Sequence, residues 1–182
     1  LKSEQDRRRV TTAFDAGKIT ALHAAPAISG SVIEECTNIV ALAGIEQIQA
    51  ALKTGADIII AGRATDTAVI AALPIARGCH RGAAWHGAKV AECGALATTN
   101  PNSGVVLMSF DKTGFVIEPM AEFAAATPYT VSAHMLYENA NPFILHEPGG
   151  YLDVSEAHYT ALDKRIVRVE GSTWYDTRPY TV

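Results

Sequence analysis

The sequence has few cysteines, few aromatic residues and no basic excess. Its 182 residues hold three cysteines, 7% Phe, Trp and Tyr, and 15 Lys and Arg against 19 Asp and Glu. Three cysteines without paired spacing exclude a disulfide framework and point to a reducing compartment, read here as the cytoplasm. A net charge of −4 leaves no broad basic surface, so nucleic acid is not expected as a partner. Arg7, Arg8 and Arg9 form a local basic run, but Glu4 and Asp6 beside them read as a solvated helix face. No apolar stretch is long enough for a membrane span, and no secretory pattern opens the chain. Also absent are a G-x-G-x-x-G fingerprint, a Walker loop, a C-x-x-C pair and H-E-x-x-H, so neither a nucleotide-binding nor a structural zinc motif is present and the cofactor stays unknown.

What is there is a core-forming composition, 48% hydrophobic and 19% charged. Leu1 falls within a polar helical pattern, and Arg178-Pro179-Tyr180-Thr181-Val182 reads as a strand beginning. The chain is therefore expected to be a piece of a longer polypeptide.

Helical periodicity is expected over 4–16, over 31–43 behind a Ser31 cap, and over 45–52. A short strand is expected from Ile19 to His23. Asp57-Ile58-Ile59-Ile60-Ala61-Gly62 is a continuous β-branched run, the pattern of a strand buried on both faces. Helices before and after it predict α/β architecture, a mainly parallel sheet flanked by helices in the first half. Thr67 to Ala76 should be helical, bending or ending near Pro74, and 83–97 forms another helix. After Asn100 the pattern becomes α+β, with antiparallel strands at 105–110 and 115–118 joined by Asp111-Lys112-Thr113-Gly114. A helix from Thr127 to Asn139 and a two-residue alternation over Arg165–Val169 follow. The expected division is an α/β core segment at 1–100 and an α+β segment packed on it at 101–182.

Three constellations carry chemistry. Gly62-Arg63-Ala64-Thr65-Asp66-Thr67 follows the expected strand and opens a helix, where α/β proteins bind ligands. Arg63 suits a carboxylate or phosphate, Thr65 and Thr67 a substrate hydroxyl, and Asp66 is favoured as an anion at the helix start. In the plainer reading Thr65 or Asp66 only caps the helix, and Arg63 pairs with a surface acid. On 85–94, His86, Lys89, Val90 and Cys93 share a helix face, and Glu92 points elsewhere. His86 and Glu92 are candidates for acid–base work. Cys93 lines the site or is a buried structural thiol. Third, His134 and Glu138 lie one turn apart on an apolar stripe, as a mutual pair or a substrate contact. Without H-E-x-x-H no metal is assigned to them. His23 could face the same crevice, whereas His80, His146 and His158 fall in polar, loop-like contexts.

At these residues the chain resembles the acyclic terpene utilisation (AtuA) family, formerly a domain of unknown function. The resemblance rests on Gly55 to Arg63 with Asp66, Trp85-His86 with Ala88-Lys89, and Glu92-Cys93-Gly94-Ala95. Val131 through Phe143, Val167 to Ser172 and Pro179 to Val182 also fit, in the same order. It implies catabolism of terpenoid acids through coenzyme A thioesters, in chains more than twice this long, with a lyase step on a branched 3-hydroxyglutaryl thioester. It transfers no catalytic role residue by residue. The expected function is thus a lyase or hydratase acting on a small organic acid or its acyl thioester. The partners are that molecule and either a second copy or the remainder of the same polypeptide. The rival is a non-catalytic ligand-binding or oligomerising subunit, with the apolar helix 67–76 as its interface.

Overall fold

The computed structural model describes residues 4–19 and 26–177. The described residues divide into two compact units, one before Ala43 and one from Ala43 onward. In the first, α1 (Glu4–Asp15) packs on α2 (Gly30–Glu35), with Ile33 buried and the Arg7 guanidinium donating to the Glu34 carbonyl. The helix expected over 31–43 is cut to these few residues. Ser29, not Ser31, caps it by accepting from the Val32 amide at 3.3 Å. Downstream, β-branched Thr37, Ile39 and Val40 lose rotamer freedom in a helix, and the chain leaves helical geometry at Cys36. Most of the strand expected at 19–23 lies outside the described residues, and His23 with it.

The second unit is built around one helix. α3 (Ile45–Leu52) and α4 (Asp66–Ala76) precede it, and α5 (Arg81–Ala91) is the element against which the rest packs. A 3-10 turn (Gly94–Ala97) follows, then β1 (Val106–Phe110) and β2 (Gly114–Pro119). α6 (Pro128–His134) leads into β3 (Ile144–Glu147) and β4 (Gly150–Asp153). β5 (His158–Ala161), β6 (Val167–Glu170) and β7 (Thr173–Asp176) complete the order. The strands form two sheets, β1-β2-β6-β5 and β3-β4-β7, and every pairing within them is antiparallel.

α5 can be central because it is narrow. Alanine and glycine let neighbouring backbone approach it closely. A Cβ on Gly82 would stand 2.3 Å from the Ser172 carbonyl oxygen, and one on Gly87 2.5 Å from Phe110 Cε1. Into this slot pack Phe115, Ile117, Val167 and Val169 of one sheet and Leu145 and Leu152 of the other. Trp85 stacks on Trp174 with ring centroids 4.5 Å apart. Burying each such side chain stabilises the fold by about 1.5–3 kcal/mol.

The hairpin expected at 105–118 forms as β1 and β2, closed where the Asp111 carboxylate accepts from the Thr113 and Gly114 amides. Pro74 lies inside α4, which ends two residues beyond it at Ala76, as expected. The helix expected to reach Asn139 stops at His134, and Glu138 is left-handed with φ 56°.

The parallel sheet expected in the first half is not there. Residues 57–62 form no strand, and Ile58 and Ile60 are 80% and 92% exposed. Among the described residues the nearest backbone pairing is one parallel bridge just beyond the stretch, Ala43 to Ala64. A β-branched run is a buried strand only where flanking strands satisfy its backbone and helices cover its faces. Among the described residues neither is supplied, and the antiparallel strands of the second half provide the sheet structure instead. No described helix is long and apolar enough to cross a membrane.

Candidate functional site

Polar side chains converge where the last turn of α5 meets the start of α4 and the β3–β4 hairpin. Thr65 caps α4, its hydroxyl accepting from the Ala68 amide at 3.2 Å. The plainer reading of this threonine therefore holds. Asp66 is exposed in the first turn, and Thr67, nearly buried, donates to Glu147 Oε1 at 2.5 Å. Glu147 ends β3, ahead of the Pro148-Gly149 turn. Burial pushes its carboxyl above the ordinary range, Glu92 adds to this, and the Thr67 and Thr65 hydroxyls and Lys89 oppose it. Its second oxygen, Oε2, is buried without a hydrogen-bond partner.

Lys89 and Glu92 form an ion pair of 2.5 Å at the end of α5, with side chains only 13% and 12% exposed. A cavity of about 320 Å³ is lined by Lys89, Glu138, Asn139, Leu145, His146 and Glu147. A second, more open hollow of about 460 Å³ is lined by Glu92, Cys93, Asn102 and Ser103 among others. The pair thus presents its cation to one space and its carboxylate to the other. The Cys93 thiol is pushed up by its burial, then by Glu92, with Glu138 and Asp66 adding and Lys89 opposing. A raised pKa keeps it protonated, which makes it a poor nucleophile. All three cysteines are free.

His134 is buried at the end of α6, its pKa lowered chiefly by that burial, while a hydrogen bond to the Lys89 backbone opposes. Its Nε2 has no partner. The expected helical pairing with Glu138 is absent because the helix ends between them. Glu138 is exposed and instead raises the pKa of Tyr137 beside it.

The structure places Glu92, Cys93, His134 and Glu147 within the field of Lys89, sets Thr65 and Thr67 at Glu147, and has Glu138 line the Lys89 cavity, whereas Asp66 acts only through its charge on Cys93. It does not gather His86 or Arg63. His86 is completely buried in the core, its Nδ1 2.7 Å from Ser172 Oγ and its Nε2 3.3 Å from the Tyr159 hydroxyl. Burial, with a smaller push from His134, lowers its pKa to about 3. A neutral imidazole with both nitrogens engaged and no face on either cavity is a core element. The same-face geometry expected for His86 and Cys93 thus leads nowhere, since the two residues meet different surroundings. Arg63 is exposed, lines neither cavity and has no ion pair among the described residues.

Sequence reasoning missed Glu147, and it placed Lys89 on the His86 and Cys93 face without giving it a role. Nothing local marks Glu147, because an acid before Pro-Gly is ordinary turn composition. Its partner Thr67 lies 80 residues away. Among the described residues no three His, Cys, Asp or Glu groups are placed to hold a metal ion.

A half-buried carboxyl of raised pKa, an ammonium and a small cavity thus stand together at this end of α5. The family model described as acyclic terpene utilisation family protein AtuA matches residues 3–182, and the chain belongs to that family. Membership links it to acyclic terpene utilisation. Neither a curated protein nor a solved structure matched the sequence.

Proposed function

We propose that the chain acts on a small organic acid or its acyl-CoA thioester, in a lyase step of terpenoid or branched-acid degradation. The observation that carries this reading is that Glu147, whose Oε2 is buried without a hydrogen-bond partner, lines the same cavity as Lys89. About 320 Å³ accommodates the reacting part of an acyl chain but not a whole coenzyme.

In the proposed step Glu147 takes the proton of a 3-hydroxyl as the neighbouring carbon–carbon bond breaks. The electron pair passes to the thioester carbonyl as an enolate, which the Lys89 ammonium stabilises. The protonated Glu147 then gives that proton to the enolate carbon, which restores the carboxylate and yields a shortened thioester and a carbonyl product. Thr67 orients Glu147, and Glu92 holds Lys89. Asp66 and Thr65 set the field at the start of α4. A raised carboxyl pKa suits Glu147 to this work, because a base is most effective near the operating pH. The three free cysteines fit a reducing cytoplasm, and the net charge of −4 speaks against nucleic acid.

Glu147→Gln should lower turnover of 3-hydroxyacyl thioesters about 10²–10⁴-fold, the usual worth of a positioned acid–base group. Lys89→Met should lower it too, and circular dichroism should show both variants folded. Wild-type turnover in Glu147→Gln removes this reading.

A further inference from the structure

Residues 57–62 are the least satisfied stretch of the described chain. Among the described residues, none of their backbone amides or carbonyls is hydrogen-bonded. Ile58 and Ile60 lie in solvent with Ile59 half-buried between them, and Asp57, Ala61 and Gly62 are exposed as well, so the apolar run is open to another chain. Asp57 and Arg63 bracket the run, both exposed and neither in an ion pair within the described chain. An apolar edge with open backbone groups is a template for another strand.

The order of residues says which strand fits. If the run is laid antiparallel on itself about Ile60, Ile60 of one copy meets Ile60 of the other and Ile59 meets Ala61. Ile58 then meets Gly62, where the missing side chain leaves room. The same register sets Asp57 of each copy opposite Arg63 of the other, two opposite-charge pairs across the strands. Parallel pairing in register would instead put Asp57 against Asp57 and Arg63 against Arg63. An antiparallel two-fold contact is also self-complementary, as a closed dimer requires.

We infer that residues 57–63 pair antiparallel with the same segment of a second copy, centred on Ile60, so that the protein is a two-fold dimer. One pair of strands buries little area, so the association is weak, in the micromolar range.

Sedimentation velocity over a concentration series should show a monomer–dimer equilibrium, abolished by Ile60→Lys. Asp57→Arg should weaken it about tenfold, and Asp57→Arg combined with Arg63→Asp should restore it. That rescue cannot come from misfolding. Under oxidation Ile60→Cys should give a covalent dimer whose linked peptide maps to position 60 in both copies. Ile58→Cys should not link to itself, because it faces Gly62. A monomer at all concentrations overturns the inference. So does a charge swap without rescue, which would place the segment against a different protein or another part of a longer polypeptide. The readout is mass rather than turnover, so it stands apart from the catalytic reading.

Discussion

The middle of α5 and its final turn both place ionisable groups against a packed interior, and they treat them in opposite ways. In the middle, His86 gives one nitrogen to Ser172 and the other to Tyr159, with Phe115 edge-on at 5.3 Å. One turn on, Lys89 and Glu92 are half withdrawn from water, and Glu147 beside them keeps an oxygen without a partner. A buried polar group with all its bonds made is part of the scaffold. One left incomplete beside a cavity costs stability, and that cost is what a substrate can relieve. The difference between the two places is partner supply, not residue type.

The contrast can be tested from its strongest consequence downward. The largest effect should come from Gly82→Ala in the tight slot, since the new methyl carbon would stand 2.3 Å from the Ser172 carbonyl oxygen. We expect about 3 kcal/mol of destabilisation, read from urea unfolding. A neutral result would mean that α5 is not clamped there.

Next is Ser172→Ala, which strips His86 of its Nδ1 partner and should cost about 2 kcal/mol. The same histidine gives a pH signature. Its imidazole titrates near 6.5 in the unfolded chain and about 3 in the folded one, so the unfolded chain binds more protons between these values. Stability from this group is therefore lost as pH falls from 6.5 towards 3, by at most about 1.4 kcal/mol per unit. His86→Gln should flatten that slope in acid unfolding curves.

The smallest effect has the other sign. The folded carboxyl of Glu147 holds its proton to higher pH than the unfolded one, so its cost is present at neutral pH and relieved on acidification. Glu147→Gln should raise the unfolding midpoint slightly at neutral pH, even as it removes turnover. A lowered midpoint would place Glu147 with His86, in the scaffold.

Much local structure was legible in the sequence because short-range chemistry governs it. The Thr65 cap, the start of a helix at Thr127 and the Asp111–Gly114 turn stand where spacing put them, and of the alternation over 165–169 the part from Val167 onward forms β6. The pattern also brought most of the candidate residues to notice, but it misjudged two kinds. His86 was read from one helix face, whereas Ser172 and Tyr159, from distant strands, decide its state. Glu147 had no local mark, and only the tertiary fold brings it to Thr67, 80 residues away. The 57–61 run failed differently, since its β-branched residues state a preference for a strand but cannot provide the neighbours that make one.

What this sequence determined by itself is where several helices start, the Asp111–Gly114 turn and the first hairpin, and the alanine and glycine content that lets α5 lie at the centre. These depend on side-chain shape and on hydrogen bonds within a few residues. Tertiary structure decided which strands pair, which histidine is scaffold and which carboxylate is left incomplete. Each of those depends on contacts between residues far apart in the chain, and on whether a buried polar atom finds a partner there.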